Sequence, residues 1–333
     1  MHQSAKEDAM EFARRQFLSL AGAGAALAVL PRIAASQAYP ARPVRIVVGF
    51  AAGGPTDIVA RVVGQWLSER LGRPFIIENR PGAGGNIGIE SVVRAPADGY
   101  TLLLFGAGAA ISATLYDKLN FNFIRDVAPV AGFVRMPGII VVNPSVPART
   151  VAEFIAHAKG NPGRISMGSA GIGTAPHVSG ELFNMMAGVN MIHVPYRGGG
   201  PAMADLLSGQ TQVEFSGPET IEYIKAGRLR ALAVTTATRW DGLPELPTVS
   251  QTVPGYEASA WFGVGAPKGT PAEIIGRLNQ EINTALADAK MKSQIASLSA
   301  TGLAGSPTDF GKLIVAETEK WAKVVKFAGL KPD

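Results

Sequence analysis

The stretch FAAGGPTDIVARVVGQWLSERLG, residues 50–72, begins with small residues and continues as an amphipathic helix. It follows the β-branched run VRIVVGF, residues 44–50, which is typical of a buried strand. Apolar residues recur along one helical face, and Gly72 stands where a left-handed residue commonly ends a helix. The pattern predicts a strand, a glycine turn and a helix, with Thr56 or Asp57 as the cap of the first helical turn.

The glycine turn predicts a place where an anion can bind. Gly53, Gly54 and Pro55 separate the strand from the helix, and the first backbone N–H groups of a helix have no partner inside it. The helix dipole favours negative charge at that end. Many strand-to-helix turns look like this without binding anything, so anion binding and a purely structural turn both stay open on this loop alone.

Residues 1–38 carry the pattern of an export signal. The twin arginine Arg14-Arg15 precedes an uncharged apolar stretch, residues 19–30, and small residues then lead to Ala38. This order is typical of a Tat-type signal peptide cleaved near Ala38. The apolar stretch is about a dozen residues long, shorter than the roughly 20 that a transmembrane helix needs. We therefore expect an exported protein; the alternative, a buried N-terminal helix, does not explain the charge layout.

Composition narrows the class of protein. The chain has 333 residues, of which 47% are hydrophobic and 17% charged, so it is globular and long enough for two domains. Its net charge of +5 comes without a cluster of Lys and Arg, which argues against a nucleic-acid-binding protein. The absence of cysteine excludes disulfides and thiolate metal sites, and the four histidines lack metal-ligand spacing.

Strand and helix patterns alternate twice along the chain, which predicts two α/β lobes built on parallel sheets with a cleft between them. The first series becomes less regular over residues 106–137, and long amphipathic helices follow Gly263, at 271–287 and at 307–328 with Ser306 as the N-cap. The predicted organisation is a signal peptide at 1–38, a discontinuous lobe 1 at 39–137 and 262–333, and lobe 2 at 138–261.

Two further turns repeat the opening motif in the second lobe. RISMGSAGIGTAPHVSGELF, residues 164–183, is a strand, a turn of small residues and a helix, with His177 in the first helical turn and off its buried stripe. MIHVPYRGGGPAMADLL, residues 191–207, places Tyr196, Arg197 and three glycines in the same position. Ligands of open α/β sheets bind at the carboxyl ends of strands, so three such turns favour a polar or anionic ligand. Arg197 is either a ligand clamp or a solvated loop charge.

The sequence supports a catalytic site less well than it supports a ligand-binding site. Met167 stands where the first glycine of a G-x-S-x-G nucleophile elbow around Ser169 belongs. A hydrolase that uses Ser169, His177 and Asp57 is an alternative, but nothing in the sequence shows that the three converge. His193 alternates with apolar residues in a strand and is interpreted as a structural residue.

Seven separated segments together resemble the tripartite tricarboxylate transporter receptor family, the Bug or TctC-like solute-binding proteins. These segments are YPARPVRIVVGFAAGGPTDIVAR, NRPGAGGNIG, ADGYTLLL, GTAPHVSGELF, VPYRGGGPAMADLLSGQ, KAGRLRALAVT and EASAWFGVGAPKGTP. The resemblance implies a type II periplasmic-binding-protein fold, two α/β lobes with a ligand cleft between them. It implies a periplasmic receptor, not an enzyme, that needs no cofactor and captures a small organic mono- or dicarboxylate for TctA/TctB-like membrane transporter components. A monomer is expected, and a sensory receptor for a signalling partner is the alternative.

The resemblance also implies the site. In the family, loops like Phe50 to Asp57 and Ser169 to His177 hold a carboxylate of the ligand, and a loop like that at Tyr196 borders the pocket. No catalytic or metal-binding residue is expected. The predicted ligand-binding residues are Phe50, Ala52, Gly53, Gly54, Thr56, Asp57, Ser169, Gly171, Gly173, Thr174, His177, Tyr196 and Phe262.

Two segments depart from the family pattern. In EFSGPETIEYI, residues 214–224, Ser216, Gly217 and Pro218 replace an expected acidic position. FGAGAAIS, residues 105–112, is smaller and less polar than is common in relatives. Both segments are expected to face the distal part of the ligand, which would suit an apolar or aromatic tail.

Overall fold

The computed structural model of the chain describes residues 39–116 and 118–332, so the predicted signal peptide at 1–38 lies outside the described residues. The strands in this part are β1 Val44–Val48, β2 Phe75–Asn79, β3 Thr101–Gly106, β4 Val127–Met136, β5 Ile139–Val142, β6 Ser166–Ser169, β7 Ile192–Pro195, β8 Val213–Ser216, β9 Arg230–Val234, β10 Ala260–Pro267 and β11 Thr301–Gly302. The α-helices are α1 Pro55–Leu71, α2 Asn86–Val93, α3 Ala107–Leu115, α4 Phe123–Asp126, α5 Val151–Gly160, α6 Ala175–Ala187, α7 Gly199–Ser208, α8 Ile221–Lys225, α9 Ala272–Ala287, α10 Ala289–Ser297 and α11 Pro307–Ala328.

The strands form two sheets. The first has the order β11-β4-β10-β3-β1-β2 and the second the order β7-β6-β8-β5-β9. Both sheets are mixed, not parallel as expected: β1 pairs in parallel with β2 and β3, and β6 with β7 and β8, whereas β10 and β5 run antiparallel to their neighbours. In the first sheet the chain leaves after β4 and re-enters through β10, and in the second sheet the antiparallel strand is β5, with which the chain enters from β4.

Each sheet has its own aromatic packing. In the first, Phe105 packs edge-to-face against Phe123 and Trp261, with ring centroids 5.2 and 5.8 Å apart. In the second, Phe183 packs against Phe215 at 5.5 Å and Tyr256 at 6.0 Å. Burying one such side chain stabilises the fold by about 1.5–3 kcal/mol, and this packing keeps the strand ends in place.

Polar contacts tie together the segments that pass between the sheets. Arg135, near the end of β4, forms an ion pair with Glu257 and donates to Ser259 Oγ at 2.9 Å on the returning segment. Lys320 of α11 donates to the backbone carbonyl of Glu257 at 3.0 Å. The buried carboxylate of Glu317, also in α11, accepts from the Trp261 indole N–H at 3.1 Å. Helix α11 therefore supports the crossing.

Residues 106–137, which looked less regular in the sequence, hold α3 and the ten-residue strand β4. Helix α3 was missed because AGAAISATL is small or apolar on most of its circumference, and it is largely buried. The long helix at the C-terminus was predicted correctly, and Ser306 and Asp309 form its capping box. None of the helices in the described residues is long and apolar enough to span a membrane.

Candidate ligand-binding site

The first predicted loop joins β1 to α1. Gly53 has a φ of +84°, and Gly54 is the N-cap without any side-chain cap bond, so the prediction that Thr56 or Asp57 caps the helix is wrong. Within residues 39–116 and 118–332, the backbone N–H groups of Ala52, Gly54 and Thr56 have no protein partner. The backbone N–H of Asp57 has no partner in this part of the chain either, and these donors are the ones that an anion at this helix start can use.

Asp57 holds this loop from behind. Its Oδ2 accepts from the Gly53 N–H at 2.9 Å and from Arg61 Nε at 2.9 Å, and its Oδ1 accepts from Arg61 Nη2 and Asn79 Nδ2 at 3.0 Å each. The hydrogen bonds from Arg61 are the main reason that the pKa of Asp57 falls to about 2. The Asp57 side chain is 2% exposed. Both oxygens of its carboxylate accept hydrogen bonds from protein groups, so the geometry gives Asp57 the role of positioning the loop.

Asn79 is a member of this site that the sequence analysis missed. Its Nδ2 donates both to Asp57 and to the backbone carbonyl of Phe50 at 3.0 Å, which ties the two ends of the loop together. It stands at the carboxyl end of β2, beside the end of β1. The sequence offered one signal for Asn79: residues 75–79 have a strand pattern, and neighbouring parallel strands end at the same edge of a sheet.

Aromatic rings lie over glycines at this sheet edge. The Phe50 side chain is 38% exposed, and its ring lies about 3.3 Å from the position that a Cβ would take on Gly85. Phe262 is buried opposite Gly106 of β3, where a Cβ would come within 2.8 Å of its ring. A Cβ on Gly85 would crowd the Phe50 ring, and a Cβ on Gly106 would also collide with the backbone carbonyl of Trp261. Two aromatic rings thus lie at this sheet edge, and the expectation that residues 105–112 face the distal part of the ligand stays a prediction.

The second predicted loop joins β6 to α6. Gly171 and Gly173 have φ values of +130° and +72°, and Thr174 is the N-cap of α6. The Thr174 hydroxyl donates to the Gly171 carbonyl at 2.7 Å. The N–H groups of Gly171, Gly173 and Thr174 are all bonded inside the loop, to Ser169 Oγ, His177 Nδ1 and the Gly171 carbonyl.

Different residues supply the unpaired donors of this second loop. Within the described residues, the backbone N–H groups of Ala170, Ile172 and Ala175 have no protein partner. The backbone N–H of His177 is also unpaired in the described residues, and His177 is the one member of this set that was among the predicted ligand-binding residues. No local sequence pattern separates the paired from the unpaired N–H groups, because their pairing depends on the folded turn and on the side chains of Ser169 and His177.

Two histidines lie beneath this loop. The Gly173 N–H donates to His177 Nδ1 at 3.0 Å, and Ser169 Oγ lies 2.6 Å from His193 Nε2. The two imidazole rings are stacked, with centroids 3.5 Å apart and an interplanar angle of 9°. Burial lowers the pKa of His177 to about 3, with a contribution from His193, and that of His193 to about 4. His177 is 2% exposed, although the sequence pattern placed it off the buried stripe.

The hydrolase arrangement is not assembled. Ser169 is fully buried and pairs with His193, not with His177. Asp57 is bonded to Arg61 and Asn79 on elements of the first sheet. The interpretation of His193 as a structural residue agrees with its contact to Ser169.

Tyr196 borders the second loop through its backbone. Its N–H donates to the Ser169 carbonyl at 3.0 Å, and its hydroxyl donates to Asp205 Oδ2 of α7 at 2.6 Å. Burial and the Asp205 carboxylate raise its pKa to about 12. Arg197, the next residue, is exposed, and its guanidinium has no ion-pair partner among the described residues.

Helix α3 reaches from one loop to the other. Near its start, a Cβ on Gly108 would lie 3.5 Å from the Phe50 ring. At its end, Leu115 Cδ2 would lie 2.7 Å from a Cβ on Gly173 of the second loop. At 1.5 Å per residue the axial distance from Gly108 to Leu115 is about 10 Å. Helix α3 therefore lies next to both loops, near its start for the first and at its end for the second.

Two acidic side chains lie at the end of β8 and just after it, those of Glu214 and Glu219. Glu214 is 2% exposed, and its Oε2 has no hydrogen-bond partner in the structure. Burial, with the Glu219 carboxylate, raises its pKa to about 7. Glu219 Oε1 accepts from Ser216 Oγ at 3.0 Å and from the Gly217 N–H at 2.8 Å. Glu214 and Glu219 thus flank Ser216, Gly217 and Pro218, the residues that replace the expected acidic position.

Two mixed α/β sheets linked by crossing segments, with glycine turns at the strand ends, define a two-lobed solute-binding protein. The family model for the tripartite tricarboxylate transporter family receptor, TctC, matches residues 59–330. The chain is 35% identical to protein BugT of Bordetella pertussis over 95% of this chain and 98% of BugT. The chain belongs to the tripartite tricarboxylate transporter receptor family, and its fold is the type II periplasmic-binding-protein fold predicted from the sequence.

Solved structures agree with this assignment. Rpa4515 of R. palustris, solved with adipate, is 38% identical with a TM-score of 0.75 and is aligned over 89% of this chain and all of its own. MatC of Rhodopseudomonas palustris, solved with bound malate, is 30% identical with a TM-score of 0.71 and is aligned over 86% of this chain and all of its own. The periplasmic binding protein BugD is 36% identical with a TM-score of 0.71, and with the match to the receptor family this makes the chain a solute-binding protein and not an enzyme.

Proposed function

We propose that the protein is a periplasmic receptor that captures a small organic mono- or dicarboxylate between its two loops. The observation that carries the proposal is the pair of helix starts, each with several backbone N–H groups that have no partner among the described residues and each held from behind by side chains of the protein. Such donors suit a carboxylate, because they are aimed by the backbone and supported by the helix dipole. The adipate and malate bound to Rpa4515 and MatC support the same ligand class.

The predicted site residues take two roles in this proposal. Ala52, Gly54 and Thr56 present N–H donors in the first loop, and the bond from the Gly53 N–H to Asp57 holds the turn that positions them. In the second loop Ser169, Gly171, Gly173, Thr174 and His177 shape the turn that presents the N–H groups of Ala170, Ile172 and Ala175. Phe50, Phe262 and Tyr196 line the flanks, where two aromatic rings suit the apolar part of a ligand.

Thermal unfolding of the mature chain, residues 39–333, tests the ligand class. A ligand at 100 times its dissociation constant stabilises by about 2.7 kcal/mol. For 150–250 residues this corresponds to roughly 2–4 °C per kcal/mol in the unfolding midpoint. We expect adipate or another member of a panel of mono-, di- and tricarboxylates to raise the midpoint by several degrees, and the uncharged diamide adipamide not to do so. A midpoint that no carboxylate changes would contradict the proposal.

We further propose that residues 1–38 direct Tat-dependent export, with cleavage near Ala38. The paired substitution Arg14→Lys/Arg15→Lys keeps the charge and should leave the precursor in the cytoplasm. Periplasmic fractions of cells that express either form measure this directly. Export of the double-lysine variant at the normal level would rule out the twin-arginine route.

The partner proposed for the closed, liganded receptor is the membrane part of a tripartite tricarboxylate transporter, with TctA/TctB-like components. Closure of two lobes over a ligand creates a surface that a permease can recognise. Uptake of labelled adipate should then need both the receptor and the membrane components. Uptake that persists without the receptor would contradict this partnership.

A further inference from the structure

One of the two stacked histidines beneath the second loop, His177, accepts a hydrogen bond whose direction the structure fixes. A backbone N–H can only donate, so His177 Nδ1, which lies 3.0 Å from the Gly173 nitrogen, must be an unprotonated acceptor. The proton of the neutral ring is then on Nε2, which lies 3.8 Å from Glu181 Oε1. The loop conformation therefore requires the neutral ring with this one tautomer.

The second ring fixes the other end of the turn. His193 Nε2 lies 2.6 Å from Ser169 Oγ, and the same oxygen accepts the Gly171 N–H at 3.1 Å. The two imidazoles thus reach both ends of the turn from Ser169 to Gly173. Ile172, whose N–H is one of the unpaired donors in the described residues, stands between the two attachment points.

Stacking joins the two attachments into one unit. At 3.5 Å between centroids, one ring cannot move without losing its contact with the other. Two imidazolium charges at that distance would repel each other strongly in a buried environment. The stacked arrangement therefore requires that His177 and His193 are not both charged, and the neutral pair keeps the loop hydrogen-bonded.

We propose that His177 and His193 are positioning residues that set the orientation of the Ala170 and Ile172 N–H groups for the ligand without contacting it. The inference rests on the proposed carboxylate-binding function and assigns His177 a different role from the direct ligand contact predicted from the sequence. It also explains the buried contact of Ser169 with His193, which no catalytic role accounts for.

Paired substitutions separate positioning from general packing. His177→Asn places a carbonyl oxygen near the position of Nδ1 and can accept from Gly173, whereas His177→Leu fills the space without an acceptor. His193→Gln and His193→Leu form the corresponding pair at Ser169. His157→Gln is the control, because His157 lies on α5 and its Nδ1 is 3.4 Å from the side-chain amide of Asn161.

Two measurements on each variant decide the proposal. In calorimetric titration with adipate, the leucine variants should bind at least 10-fold more weakly, whereas the Asn, Gln and His157→Gln variants should stay within about threefold of the natural protein. In ¹⁵N–¹H spectra without ligand, the Gly173 amide resonance should shift in His177→Leu much more than in His177→Asn. Leucine variants that fold and bind adipate normally would overturn the proposal, and so would amide variants as weak as the leucine ones.

The spectra also separate this proposal from the proposed function. If the natural protein binds no adipate, the Gly173 resonance still reports the loop anchor. A shift in His177→Leu that His177→Asn reverses would then support the anchor while the ligand class fails. An unchanged Gly173 resonance in His177→Leu would overturn the anchor whatever the ligand is.

Discussion

The two loops of the site follow one plan but are anchored by opposite chemistry. The first is held by an ionised carboxylate, Asp57, which Arg61 neutralises. The second is held by two imidazoles, His177 and His193, whose pKa values are lowered so that the rings are neutral. In both, the side chains consume some loop N–H groups and leave others unpaired. The comparison indicates that the anchor needs complete hydrogen bonding more than it needs a particular charge.

The difference in charge has a consequence for acid sensitivity. The Asp57 anchor persists down to a pH near its lowered pKa of about 2. Below about pH 6.5 the two histidines become protonated in the unfolded chain while they stay neutral in the folded protein. The free energy of unfolding therefore falls as the pH is lowered. Mild acid therefore acts on the second loop and leaves the first intact.

Removal of the charged anchor should give the largest effect. Asp57→Ala deletes the acceptor for Gly53, Arg61 and Asn79, and hydrogen bonds to a charged group contribute about 1.5–3 kcal/mol each. We expect the free energy of unfolding to fall by about 3 kcal/mol and adipate affinity to fall by roughly 100-fold, since 1.4 kcal/mol corresponds to a factor of 10. Urea denaturation and calorimetric titration measure the two quantities.

A matched control for Asp57 is the exposed Glu90–Arg94 pair, which has the same i,i+4 spacing. Glu90→Ala should cost about 0.5 kcal/mol or less, because exposed ion pairs contribute little. Equal losses in the two variants would mean that Asp57 is an ordinary surface ion pair and not a loop anchor.

Acid should reveal the neutral anchor. The folded pKa of His177, about 3, lies below the unfolded value of 6.5, so its contribution is complete above pH 6.5 and is lost as the pH falls toward 3. The slope reaches up to about 1.4 kcal/mol per pH unit in this range. We expect the natural protein to lose up to about 2 kcal/mol from this residue between pH 6.5 and 5. Urea denaturation across that range, with His177→Asn for comparison, gives the contribution as a difference.

The same pH series tests the first loop. The free energy of unfolding of Asp57→Asn should change with pH between 6.5 and 5 as that of the natural protein does. The pKa of the Asp57 carboxyl is 3.8 in the unfolded chain and about 2 in the folded protein, so it does not titrate in this range. A His177→Asn variant that keeps the full slope, or an Asp57→Asn variant that loses it, would reverse the assignment of charged and neutral anchors.

Glu214 offers a smaller test beside the second loop. Its folded pKa of about 7 lies above the ordinary 4.5, so stability present below pH 4.5 is lost as the pH rises through 7. Glu214→Gln removes the ionisable group and should stabilise the protein by about 1–3 kcal/mol at pH 8, with little gain at pH 4.5. Glu222→Gln, at a largely exposed position on α8, is the control and should change stability by no more than about 0.5 kcal/mol. A gain that is equal at both pH values would show that Glu214 does not titrate between them.

Features that depend on a short stretch of sequence were predictable from the sequence alone. Glycines before an amphipathic helix indicated both loops, and Gly72, with a φ of +67°, ends α1 as expected. The anchors depend on strand register, which no local pattern states. His193 comes 24 residues after Ser169 and meets it only because β6 and β7 pair in parallel. Asn79 is brought to Asp57 by the pairing of β1 with β2 in the same way.

The smallest predicted effect compares one glycine in each loop. Gly53 and Gly173 both have positive φ, so alanine at either position costs about 1–2 kcal/mol of backbone strain. A Cβ on Gly53 would meet nothing within 4 Å, whereas a Cβ on Gly173 would come within 2.7 Å of Leu115 Cδ2. Gly173→Ala should therefore lose more stability and adipate affinity than Gly53→Ala, and the excess should shrink in a Leu115→Val background. A double-mutant cycle measures that excess as a coupling between Gly173 and Leu115. Zero coupling would mean that the second loop and α3 do not meet in solution as they do in this structure, and the proposed capture of one ligand between the two loops would then have to be reconsidered.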